Sequence, residues 1–201
     1  MLLAHSLLIA GDVEQARDVT RQVAAAADAT ADTELRLLAD TCAILDDGAT
    51  GRGTVADLAA LHARAQRLGN VHVALLAAGV SIMAAVREGD LRAGLAWSDR
   101  MIAHRLVLGT SDGPVAFELR AVVTALRGDA REAVRLFSAA RTQALRNGLR
   151  WPAVAQTPAL LEQATAALPG DEAERVRAEG ARLDLAALVR EPHPPIPAAT
   201  P

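Results

Sequence analysis

Apolar stretches rich in Ala, Leu and Val run along most of the chain and are cut at short intervals by glycine, asparagine and proline. Such stretches predict helices, because Ala loses no side-chain entropy in a helix and Leu loses little. The pattern places helices at 1–10, 12–28, 31–46, 53–68, 71–88, 90–108, 114–127 and 129–147, then at 158–168, 171–179 and 182–190. Thr157-Pro158 reads as the cap and first residue of the helix it opens. The most apolar run, Val71–Val86, carries His72 and is closed by Arg87; it is short for a membrane span and suits a buried helix. Strand-favouring Ile and aromatic residues are scarce. The expectation is an all-α fold of roughly 10–11 helices.

The breakers are periodic. A Gly-Asp pair closes an apolar stretch at Gly11-Asp12, Gly89-Asp90, Gly128-Asp129 and Gly170-Asp171. Gly89 stands twice as far from Gly11 as Gly128 stands from Gly89, and Gly170 follows at nearly the single interval. The missing member falls at Gly51, where the Asp is lost and Gly53 follows. Gly supplies a left-handed helix end without the strain a side chain brings, and Asp caps the next helix and favours its positive end. Five residues after each glycine stands a small residue, Ala16, Ala56, Gly94 or Ala133, expected to let the second helix approach the first. A second breaker, Gly69-Asn70, Gly109 or Asn147-Gly148, ends that second helix. Two helices and two breakers per unit predict stacked hairpins, an α-solenoid with about 39 residues per repeat.

The turns "GDVEQAR" and "GDAREAV" resemble the G-D-x-x-x-A core of a tetratricopeptide (TPR) hairpin across residues 1–148. The period is longer than the roughly 34 residues of that repeat, and its large aromatics are missing. The C-terminal part, "GDAREAVRLFSAARTQALRNGL" and then "LLEQATAALPGDEAERVRAEGARLDLAALV", is similar to the end of large bacterial transcription regulators, the LuxR-type and related signal-transduction ATPases common in actinobacteria. The matching positions are Ala133–Ala140 and Ala178-Glu179-Gly180 with Leu185. The resemblance implies a TPR-like sensor or scaffold region. An ATPase domain precedes that region in such proteins, and a DNA-binding helix-turn-helix can flank it; neither is present in these 201 residues. The chain begins inside what would be the first hairpin, as expected of a fragment of a larger regulator or of a short stand-alone relative. The organisation expected is one domain over 1–190, with repeats to 148 and capping helices over 149–190, and a disordered tail at 191–201 holding five of the nine prolines.

Composition narrows the chemistry. The basic residues are all Arg and there is no Tyr, so a P-loop lysine, a Schiff-base lysine and a phenolic acid or base are excluded. A net charge of −3 gives no general attraction to nucleic acid or an acidic membrane. The single cysteine, Cys42, excludes an internal disulfide and a multi-cysteine zinc site, and its apolar setting marks a small buried hydrophobe. With no basic segment before the apolar N-terminus, the expected location is cytoplasmic.

Gly109-Thr110-Ser111-Asp112-Gly113 matches the G-x-S-x-G nucleophile elbow, the basis of a serine-hydrolase alternative. That motif works on a strand–turn–helix; here it lies between helices, where Ser111 or Asp112 caps the next one. Among His5, His62, His72, His104 and His193, no two stand three or four residues apart, so no metal and no cofactor is expected. His72 reads as a core or capping histidine. Arg64, Arg67 and the His104-Arg105 pair sit late in their helices, where positive charge complements the dipole; the alternative is that they hold an anionic ligand or partner. Asp46-Asp47 read as a helix end and loop, Glu172 and Glu174 as acids of a first turn.

In TPR-like arrays the first helix of each hairpin lines the concave face. The positions ten or six residues before each turn glycine are His5, Thr41, Gly79, Met83, Glu118 and Val122. The function expected is a non-catalytic module that binds a protein partner or a small effector in this groove, without direct contact to nucleic acid or membrane. The alternative is a self-associating homodimeric scaffold, since an uncapped first helix leaves an apolar face.

Overall fold

The computed structural model describes residues 12–49, 54–109, 113–149 and 151–183, all helix and short connections. The expected helices 1–10 and 182–190, the tail, Gly11, Gly51, Ser111, Asp112 and His193 lie outside these residues or largely so. Nine helices are described: α1 Val13–Thr30, α2 Thr33–Ala49, α3 Val55–Arg67, α4 Val71–Glu88, α5 Leu91–Leu108, α6 Gly113–Leu126, α7 Ala130–Arg146, α8 Thr157–Ala166 and α9 Glu172–Gly180. They fall into two compact units, Met1–Glu88 and Gly89–Pro201.

In the first unit α1 packs on α2 and α3 on α4, with α2 touching α3 and α4 less extensively. The core joins Leu37, Leu61, Ala65, Val73, Ala74 and Ala77. Alanines at the α3–α4 contact let the two backbones come close. Among the described residues of this unit, the two most extensive pairings are joined at the second kind of breaker, Ala31-Asp32 and Gly69-Asn70. Ala56, the small residue expected to bring α3 onto α2, is exposed.

The turn chemistry is explicit. Asp12 accepts from the Gln15 N–H at 3.2 Å and starts α1. Ala31 ends α1 at φ +53°, and Asp32 caps α2 through the Glu34 and Leu35 N–H groups. The left-handed residues of the second breaker series are therefore Ala31, Gly69, Gly109 and Gly148, at near-equal intervals. The first member escapes a search for glycine. At α3, where the turn has lost its Asp, Thr54 and Asp57 form a reciprocal capping box, and the bond from Thr54 holds the Asp57 carboxyl below its ordinary range. α2 continues through Asp46-Asp47 to Ala49, so those acids do not form a loop. Among the described residues α4 is the one helix long and apolar enough to cross a membrane, and half of it is buried within the fold.

In the second unit α6 is the central element. It packs on α5, α7 and α8, while α7 also carries α8 and α9. Phe117, Val122 and Val123 of α6 and Val134, Leu136 and Phe137 of α7 are fully buried. Gly94 and Ala133 are buried small residues. Gly89 and Gly128 are left-handed, and Asp90 and Asp129 cap α5 and α7 through the Ala93 and Glu132 N–H groups at 2.9 and 3.1 Å. Asp171 makes no side-chain cap, and α8 starts at Thr157 with Gln156 as its N-cap, against the expectation of Thr157 as cap.

α9 lies directly on the α7 backbone. A Cβ on Gly180 would collide with the Arg135 carbonyl, so no larger residue fits without displacement. Beside it, Arg131 Nη2 donates to both carboxylate oxygens of Glu179, at 2.8 and 3.1 Å. These are residues of the Ala178-Glu179-Gly180 motif, and Glu179 and Gly180 each have a contact that accounts for them.

Candidate functional site

Glu118 lies near the middle of α6, among apolar neighbours that fix the helix in the core. Its residue exposure is 1%. A buried carboxylate is tolerated only when hydrogen-bonded. Three donors meet it, all from the segment after α7. Ala153 N–H donates to Oε1 and Oε2 at 3.1 and 3.0 Å, Val154 N–H to Oε1 at 2.9 Å, and Thr157 Oγ1 to Oε1 at 2.6 Å. Glu118 is thereby a staple that ties the irregular stretch before α8 onto α6.

This stretch walls a cavity of about 260 Å³ in the second unit. Its lining includes Arg105 from the end of α5, Pro114, Val115 and Glu118 from α6, Leu149 and Trp151. Arg105 stands in the last turn of α5, as expected from its position, and is buried, 8% exposed. The Trp151 indole N–H is buried with no acceptor among the described residues. The Arg141 guanidinium stands 5.8 Å from the Trp151 ring centroid, within cation–π range. Trp151 also borders an open depression of about 470 Å³ beside α8 and α9. Among the described residues of the smaller cavity's lining there is one carboxylate, Glu118, and one guanidinium, Arg105.

The groove residues read from the sequence take different positions. His5 lies outside the described residues. Thr41 is fully buried, with its hydroxyl donating to the Leu37 carbonyl at 2.6 Å, and Val122 is core; both are ordinary interhelix positions. Gly79 and Met83, one turn apart on α4, are half-buried. Glu118 faces the cavity and its own chain. Spacing from the turn names the helix on which each residue stands, and packing decides which side of that helix faces outward.

The remaining candidates also sort themselves. His72 is exposed, whereas His62 is buried. His104 is half-buried, and desolvation holds its pKa below the ordinary imidazole value. Arg64 pairs with Asp40 of α2. Cys42 is buried, and burial pushes its thiol pKa up, away from the reactive range. Glu172 lies near Arg131, at 3.6 Å. Among the described residues no three His, Cys, Asp or Glu side chains cluster to hold a metal ion.

Spacing singles out Glu118 for a different role and misses Arg105 and Trp151 as cavity walls. The donors to Glu118 follow it by 35 to 39 residues, in a loop with no periodicity to read. No protein-family profile, curated protein or solved structure matches the chain.

Proposed function

We propose that the chain is a non-catalytic, TPR-like helical-repeat binding module, the sensor or scaffold part of a bacterial transcription-regulatory or signalling ATPase system. The repeat reading is carried by one observation. The N-caps Asp12, Asp90 and Asp129 are separated by two repeat intervals and then by one. They share one conformation, with φ/ψ of −87/71°, −86/74° and −82/79°, and each bonds the N–H three residues on. A turn that recurs in this detail at multiples of one interval supports the reading of a repeated unit. The regulatory reading is supported by the resemblance of Ala133–Ala140 and Ala178–Gly180, stretches that lie on the packed helices α7 and α9.

The module takes a protein partner along the half-buried Gly79–Met83 side of α4, and a small effector in the cavity beside Glu118. The test uses the full chain tagged in its source cells, with crosslinking and identification of what is captured. Met83→Glu is expected to lose a signalling ATPase or regulator that the unchanged chain captures, with helical circular dichroism unaltered. A thermal-shift panel of small metabolites is expected to contain at least one stabilising compound. Capture indifferent to Met83→Glu, together with a panel in which nothing stabilises the chain, overturns the reading.

A further inference from the structure

The cavity of about 260 Å³ and the depression of about 470 Å³ have one lining residue in common, Trp151. The charges around these two spaces are accounted for. Glu118 is met by the Ala153, Val154 and Thr157 donors, and Arg105 also has a partner within the chain. On the depression, Arg177 Nη2 donates to the Thr165 hydroxyl at 3.2 Å, and Glu162 and Arg177 are exposed, so their charges stay solvated. The Trp151 indole N–H differs from these groups. It is buried, with no acceptor among the described residues. An unmet buried donor is costly, and the cost falls on the present position of the ring. The ring itself is only half-buried, and the Arg141 guanidinium over it stands at 5.8 Å, near the outer limit of about 6 Å for a cation–π contact.

We propose that Trp151 is a movable wall, and that its turning joins the two spaces into one site for an uncharged, mainly apolar small molecule carrying a hydrogen-bond acceptor for the indole N–H. The N–H is covered where the ring now stands, so an acceptor reaches it only when the ring turns. Turning then exchanges an unmet donor for a hydrogen bond, which couples the motion to the ligand. The ligand is uncharged because the buried charges of the lining are already engaged, and an ion buried without a counter-charge is penalised far more than a neutral group. Its body is apolar because Val115 and Leu149 on one side of the ring, and Pro158 and Leu161 on the other, offer no polar side-chain group. The smaller cavity alone lies below the roughly 300 Å³ at which ligand pockets begin, whereas the joined space falls inside their range. The proposal rests on the effector-site reading above and adds the ligand class and the way in.

The experiment uses the full chain labelled with nitrogen-15. Its two indole N–H resonances are read by nuclear magnetic resonance, and Trp97→Phe identifies the one that belongs to Trp151. The probe is cyclohexyl methyl ketone at millimolar concentration, beside cyclohexanecarboxylate, which has the same shape and a charge. The ketone is expected to move the Trp151 resonance, and the carboxylate to bind about tenfold more weakly or not at all. Trp151→Phe keeps a ring and loses the N–H; it should weaken the ketone about fivefold in titration calorimetry, while Trp97→Phe leaves the affinity unchanged. Should Trp151→Phe fail to fold, judged by circular dichroism, the contrast between ketone and carboxylate on the unchanged chain decides alone. Equal binding of the carboxylate overturns the ligand class. A Trp151 resonance unmoved by the ketone and by every stabilising compound of the metabolite panel overturns the movable wall. If a metabolite stabilises the chain without moving that resonance, the effector-site reading stands and this proposal falls. If neither the ketone nor any metabolite binds, both fall.

Discussion

Gly128-Asp129 and Gly170-Asp171 are the same dipeptide after the same kind of apolar stretch, and both glycines are left-handed, at φ +85° and +52°. Asp129 then takes ψ 79° and caps α7. Asp171 takes ψ 1° and caps nothing. α7 starts by a local rule, whereas α9 is held from a distance. Arg131 grips Glu179, Gly180 sits on the Arg135 carbonyl, and Gln143 Nε2 donates to the Leu183 carbonyl at 3.1 Å. An identical turn sequence therefore fixes a helix start only where the flanking helices leave the cap free to form. Elsewhere the packing decides, and the motif survives as a bend.

The contrast between locally and remotely held segments breaks most severely at Glu118. Glu118→Ala leaves the Ala153 and Val154 N–H groups and the Thr157 hydroxyl without their acceptor, at a cost of about 3 kcal/mol. Urea unfolding followed by Trp emission should show that loss; a variant as stable as the unchanged chain would mean the staple is dispensable. Gly180→Ala forces α9 off α7 and should cost about 2 kcal/mol in the same assay, as overpacking does. Asp129→Ala should cost about 1 kcal/mol, whereas Asp171→Ala should change stability by less than about 0.5 kcal/mol; equal losses at the two positions would erase the distinction. Ala31→Gly should stabilise the first unit by up to about 1 kcal/mol in thermal or urea unfolding, since the relief of a left-handed alanine at φ +53° outweighs the added freedom of the unfolded chain.

The smallest expected effect is a pH dependence at His104. Burial favours its neutral form and places its folded pKa below the unfolded value near 6.5. The folded chain then binds fewer protons, so stability is fully present above the unfolded pKa and declines as pH falls through it toward the folded one. His104→Gln should remove part of the decline in melting temperature below pH 6.5.

What can be read from the chain follows the same division. The helices, the caps Asp12, Asp90 and Asp129 and the small residues Ala16, Gly94 and Ala133 each depend on neighbours within a turn or two, and a linear pattern carries that information. Ala31 is invisible to such a pattern, because the left-handed position there is held by the surrounding hairpin and not by a permissive residue. The pairing of α3 with α4 depends on which face of each helix is richer in alanine, and the breaker spacing is indifferent to it. Glu118 stands out by its spacing, but its partners come from a loop that follows no period. Arg105 occupies a position where a solvated charge and a buried one look alike in sequence.

The burial of Cys42 has an experimental consequence. It is the only thiol in the chain, and it belongs to the first unit, while both tryptophans, Trp97 and Trp151, belong to the second. The unaltered protein therefore carries two orthogonal reporters. A thiol reagent can reach Cys42 only when its surroundings open, so the labelling rate is a clock for the first unit, and indole emission is a gauge for the second. Read together along one denaturant series, coincident midpoints would make the two units a single cooperative block, and separate midpoints would give each its own melting behaviour without a single engineered probe.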